Sequence, residues 1–108
     1  MSRHFIEQQL LGSMLLLGPG VSAAVKAGVR SCHYSEIRHS LLHDAMVDAC
    51  IDTRGKVDAV TLSMFLAKSG MLETVGGDEY LIEILESVPT AERLEEFAAD
   101  VIRRSDEC

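Results

Sequence analysis

His39 and His43 stand four residues apart in a segment that reads as helix, a spacing that projects two imidazoles from one face and suits chelation of a metal. Cys32, His33 and Asp44 are close by in the chain. A structural zinc site normally takes four ligands with a matched second pair, and no second pair is evident around these two. They are therefore read as surface histidines on a solvated face. Cys32 beside His33 offers a thiol and a base, but adjacent residues rarely aim at each other and no third group orients them. Asp78-Glu79 and Glu95-Glu96 are adjacent carboxylate pairs; with no apolar pocket to raise one of the two, both stay ionised and neither is poised for acid–base work. Gly76-Gly77 invites comparison with a phosphate loop, yet the carboxylates that follow would repel phosphate, so a turn into a helix is expected instead. The sequence contains no G-x-x-x-x-G-K-[ST], and ATP hydrolysis is not expected of it. No catalytic, cofactor-binding or metal-ligating residue is assigned, and the third and weakest reading is a small metal-dependent enzyme built on His39 and His43.

The elements that would position these groups are all helical. Asp58 is placed to cap a helix over the following residues, and Gly70 stops it with Met71 folding back on Leu66. Tyr80, Leu81, Ile84, Leu85 and Val88 mark one broad apolar face of the next helix, closed by Pro89. Thr90 caps a last helix in which Leu94, Phe97, Ala98, Val101 and Ile102 face inward, with Glu92, Glu95 and Glu96 near its positive end and Arg103-Arg104 near its negative end. Upstream, Ile6, Leu10, Met14 and Leu17 give a first helix ended by Gly18-Pro19-Gly20, and Ser22 caps a short one over Ala23 to Ala27. Ser35 is expected to cap a helix running to about Asp52. Ile37, Leu41 and Ala45 form one inward row of it and Leu42, Met46, Ala49 and Cys50 another, while Arg38, His39, Asp44 and Asp48 stay wet, which puts this helix near the middle of the bundle. No alternating run with β-branched enrichment occurs. The fold class is all-α, a compact orthogonal or antiparallel bundle of five or six helices forming a single domain over residues 1–108.

The composition excludes several functions. The net charge of −7 is uneven: residues 1–72 hold six acidic and seven basic side chains, residues 73–108 eleven acidic and three basic. The last third would repel phosphate, so direct nucleic-acid binding is not expected; the acidic run is a solvated face or a dock for a basic partner. The apolar run from Leu10 to Ala24 is broken by glycine, serine and proline and cannot span a membrane, and Glu7, Gln8 and Gln9 make a poor leader for a signal peptide. Three cysteines without a CxxC pair point to a reducing cytoplasm and no structural disulfide, with Cys50 in the core and Cys108 exposed.

DAVTL, FLAKSGMLETVGGDEYL and ESVPTAERLEEFAADVIRR, with the opening Glu7-Gln8-Gln9-Leu10-Leu11-Gly12, resemble in order and approximate spacing the N-terminal domain of DnaB-type replicative DNA helicases. The resembling motifs include V-G-G-x-x-Y-L and E-Q-x-[VL]-L-G, and they run from about Glu7 to Arg104; Tyr34 also carries over, whereas Leu17 to Cys32 shows little similarity. The resemblance implies a non-enzymatic module of the DNA replication machinery. Such modules dimerise, help hold the helicase ring together, and dock primase or loader proteins, while the motor lies in a separate domain. It also implies partner-binding roles for Tyr80 and Phe97, with Glu79 and Glu83 on the same helix as Tyr80. The tyrosine hydroxyl favours a rim position and Phe97 the core, so Tyr80→Ala should weaken partner binding at little cost in stability. Family members continue into the second arm of a helical hairpin, and the resemblance implies that the full second arm, and with it the complete hairpin-mediated dimer contact, is not to be expected of these residues. The alternatives are a primase-type helicase-binding domain, or a freestanding regulator of helicase–primase assembly that meets the full-length helicase.

Overall fold

A computed structural model describes residues 2–55 and 57–105; the expectation for Cys108 lies outside them. Six α-helices follow one another: α1 (Arg3–Leu16), α2 (Gly20–Lys26), α3 (Ile37–Thr53), α4 (Ala59–Lys68), α5 (Gly77–Glu86) and α6 (Leu94–Arg104), with 3₁₀ turns at Ser31–His33 and Ala91–Arg93. No strand occurs among the described residues. The all-α bundle is as expected from the apolar spacing.

The centre of the bundle is α1 and not α3. Ten consecutive residues, Ile6 to Leu15, are buried, because α1 packs against α2, α3, α5 and α6 at once. A helix enclosed on all sides loses its polar stripe, and Glu7, Gln8, Gln9 and Ser13 go inside with Leu10, Leu11 and Met14. Around it, Leu42 and Met46 of α3, Leu62 and Leu66 of α4 and Ile84 of α5 are wholly enclosed. Each such large apolar side chain contributes about 1.5–3 kcal/mol before ordering entropy is subtracted.

The local punctuation follows the sequence in the second half of the chain. The Asp58 carboxylate accepts the Thr61 amide at 2.8 Å, and the Met71 amide reaches back to the Leu66 carbonyl at 2.9 Å, the bond expected where a helix stops at glycine. Thr90 Oγ1 accepts the Glu92 amide at 3.2 Å and so caps the 3₁₀ turn at Ala91–Arg93 and not α6 itself, which begins at Leu94 without a side-chain cap. Gly76 has φ +112, and a Cβ there would lie 2.7 Å from Tyr80 Cβ, so the turn into α5 requires glycine twice over, for its backbone and for its space.

Four expectations in the first half are corrected. Ser35 does not cap α3: the helix begins at Ile37 with Glu36 before it and no side-chain cap, because the Ser35 hydroxyl is committed to Glu7. Ile37 is 81% exposed: Ala45 of its row and Leu42, Met46 and Ala49 of the other are buried as expected, but the inward face is completed by His39 and His43 and not by Ile37. Ser22 lies inside α2, which starts directly after Pro19. Finally, Cys32 is disulfide-bonded where no disulfide was expected, while Cys50 is a free, half-buried thiol.

Helices α1 and α5 come close together at Gly12, where a Cβ would lie 2.8 Å from the Ile84 carbonyl oxygen and would meet the Val88 side chain. Gly12→Val should therefore force α1 and α5 apart and lower stability by about 1–3 kcal/mol. A urea midpoint unchanged from the parent chain would show that this contact yields freely.

Candidate functional site

His39 and His43, expected on a wet face, are buried, at 0% and 3% exposure. Both belong to a polar seam between α1, α3 and α5. His39 Nδ1 lies 2.7 Å from Glu7 Oε1 and its Nε2 lies 2.5 Å from the Tyr80 hydroxyl. Gln8 Nε2 donates to the same hydroxyl at 3.3 Å and to Glu83 Oε2 at 2.8 Å. One proton arrangement satisfies the whole chain. Gln8 donates to Tyr80, Tyr80 donates to a neutral His39, and His39 donates through Nδ1 to the Glu7 carboxylate. The other Glu7 oxygen accepts both the amide and the hydroxyl of Ser35, each at 2.8 Å. Burial alone would raise the Glu7 carboxyl, but the bonds from His39 and Ser35 outweigh it and hold the group below its ordinary value of 4.5.

Two branches leave this centre. His4 on α1 bonds Glu36, and Arg38 Nε reaches the other Glu36 oxygen at 3.3 Å while its guanidinium lies 3.7 Å from the centroid of the Tyr80 ring, a cation–π contact. On the inner side, the Tyr34 hydroxyl lies 3.0 Å from His43 Nδ1. Burial holds His43 below its ordinary value of 6.5, reinforced by His33 and opposed by Asp44. His33 is not paired with Cys32 for chemistry: its Nδ1 accepts the Arg30 amide at 2.9 Å. His39 and His43 have separate partners and do not form the chelating pair considered from the sequence.

The four residues proposed for partner binding fall in different places. Tyr80 is 6% exposed, so its hydroxyl is not on a rim; it is satisfied inside by His39 and Gln8, and the expectation that Tyr80→Ala leaves stability intact is withdrawn. Phe97 is equally buried, on the inward face of α6 where it was placed. Glu79 and Glu83 are exposed on α5. Glu7 and Gln8 stood in the sequence only as part of the opening motif and were not expected inside, although polar residues flanked by Ile6 and Leu10-Leu11 in a helix apolar on more than one side are a sign of enclosure.

A second feature is a groove of about 380 Å³ between α4 and α5, lined by Val60, Met64, Leu81, Ile82 and Leu85 with Asp78 at its edge. Val60, Met64 and Ile82 are more than half exposed. The Ser63 hydroxyl donates to Asp78 at 2.5 Å across the mouth.

Removing parts of the polar seam should be graded. Tyr80→Phe leaves His39 Nε2 without its donor and should cost about 1–2 kcal/mol, Glu7→Gln about 1.5–3 kcal/mol, and Tyr80→Ala about 3–5 kcal/mol by denaturant unfolding. The pH dependence has a definite sign. As pH falls past the ordinary histidine value of 6.5, the unfolded chain takes a proton at residue 43 that the folded chain refuses, and below 4.5 it does the same at Glu7 and Glu36. Stability should fall in two stages on acidification, and His43→Asn should remove the first stage; a denaturant midpoint followed from pH 8 to pH 4 checks both.

Residues 2–103 match the family model described as the DnaB-like helicase N-terminal domain. The Bacillus subtilis replicative DNA helicase DnaC is 35% identical over 100 residues, covering 92% of this chain and 21% of that protein. The Mycobacterium leprae replicative DNA helicase DnaB is 34% identical over 100 residues, covering 92% and 16%. The chain thus spans about a fifth of the length of these relatives. Among solved structures, the N-terminal domain of DnaB helicase from Mycobacterium tuberculosis superposes with a TM-score of 0.84 at 29% identity, covering 93% of this chain and 70% of that one. Sequence and fold agree, and the chain belongs to the DnaB-like helicase N-terminal domain family.

Proposed function

We propose that this chain is a non-enzymatic interaction module of the replication machinery that self-associates as a dimer and docks primase, or a loader, in the cytoplasm through the α4–α5 face. The observation that carries this reading is the exposed groove with Val60, Met64 and Ile82 on its walls and Asp78 at its edge, on a helix whose Glu79 and Glu83 are also exposed. An apolar trough beside a row of negative charge suits a basic amphipathic helix. Glu79 and Glu83 steer such a helix, and the apolar side chains hold it. Tyr80 and Phe97 contribute from beneath: Tyr80 fixes α5 to α1 and α3, and Phe97 anchors α6 in the core. Nucleic acid is not the ligand, since the acidic face repels phosphate. No described helix is long and apolar enough to cross a membrane.

The chain mixed with the helicase-binding domain of primase from the same source should co-elute on gel filtration. Met64→Asp with Ile82→Asp should abolish co-elution without changing the unfolding midpoint, and Glu79→Lys with Glu83→Lys should weaken it in a salt-dependent way. Gel filtration of the chain alone over a range of concentrations, under reducing conditions, checks self-association. Failure to bind either primase or full-length helicase would refute the docking role.

A further inference from the structure

The polar seam contains more than the bonds that hold it. His4 and Glu7 lie three residues apart on α1, Glu36 and His39 lie three apart at the start of α3, and the fold sets these two pairs against each other. One ligand atom each from His4, Glu36 and His39 lie within 4.8 Å of one another. His39 Nδ1 is 3.8 Å from Glu36 Oε2 and 2.7 Å from Glu7 Oε1. The second pair that the sequence did not reveal for His39 is therefore present, on another helix.

We infer that His4, Glu7, Glu36 and His39 form a site for one divalent transition-metal ion of the zinc type, tying the first turns of α1 to the start of α3. Two imidazoles and two carboxylates are a four-ligand nitrogen–oxygen set that suits zinc, nickel or copper over magnesium. Ligands at about 2.0–2.1 Å from a tetrahedral ion stand roughly 3.3 Å apart; the His4, Glu36 and His39 atoms, within 4.8 Å of one another, need shifts of about an ångström to close on one, and Glu7 Oε1, 2.7 Å from His39 Nδ1, has to swing in beside them.

The outer atoms of the ligands are already held. Ser35 fixes Glu7 Oε2, Arg38 fixes Glu36 Oε1, and the Tyr80 hydroxyl faces His39 Nε2. That leaves Glu7 Oε1 and Glu36 Oε2 on the side of His39 Nδ1, at 2.7 and 3.8 Å from it, with their other oxygens held as the outer atoms of metal ligands are. Arg3 lies 4.0 Å from Glu7 Oε2 and so also stands on the outer side. On binding, the ion takes the place of the proton on His39 Nδ1; that proton passes to Nε2, and the Tyr80 hydroxyl turns its own hydrogen aside to accept it. His4 and Glu36 are only half-buried, which leaves the site a way in from solvent.

The test uses the chain stripped with a chelator and dialysed, then titrated with zinc chloride by calorimetry and with cobalt chloride by visible absorption. Saturation at one zinc per chain, a rise in melting temperature with zinc and not with magnesium, and a cobalt band of tetrahedral intensity are expected. His4→Gln and Glu36→Gln, both at half-exposed positions, should each weaken zinc at least roughly tenfold, while His43→Asn should bind as the parent does. No saturable binding, or zinc affinity equal in the parent, His4→Gln and Glu36→Gln chains, would overturn the site and leave adventitious binding only.

Discussion

A carboxylate with 1% of its surface exposed, on the helix at the centre of the bundle, is the constraint from which the rest follows. An ionised carboxylate cannot remain there without donors, because removing it from water costs several kcal/mol. Glu7 meets that demand with the Ser35 amide and hydroxyl on one oxygen and His39 on the other. Supplying those donors dictates much of the neighbourhood. Ser35 has to stand ahead of α3 instead of capping it, His39 has to face inward, and Tyr80 has to close the far side of the ring. Three helices distant in sequence are thereby locked in one register, which apolar packing alone does not specify so narrowly.

That register also determines what the surface offers. With Tyr80 turned inward, α5 shows Glu79, Ile82 and Glu83 to solvent, and Gln8 draws Glu83 back towards α1. The acidic, partly apolar face is thus the reverse side of the buried seam. A change at Glu7 or His39 would bear, through α5, on the face proposed for docking without touching it.

The sequence was most legible where a single residue acts on its own backbone. Asp58, Gly70, Gly76, Pro89 and Thr90 each mark a boundary found in the fold, because caps and stops depend on the next few residues only. The apolar stripe of α6 is equally plain, since one side of that helix is wet. It was least legible around α3, where His39 and His43 lie at the spacing of Leu42 and Met46 but their polarity suggested water. Their burial depends on partners 32 and 41 positions away for His39, and periodicity carries no information about such partners. Glu7 was missed for the same reason: the helix that encloses it is visible only once its neighbours are assembled. The family motifs acquire physical content here, Gly12 as the point where α1 meets the α5 backbone and Gly76-Gly77 as the left-handed turn below Tyr80.

The most extensive helix pairing in the bundle joins α1 to α6, the first helix to the last among the described residues. During synthesis the ribosome releases α1 long before α6, so Leu10, Leu11 and Met14 must wait, uncovered, until nearly the whole stretch has emerged. Closure of the ends on each other makes folding a late and concerted event, and leaves the nascent polypeptide dependent on whatever shields its leading segment in the meantime.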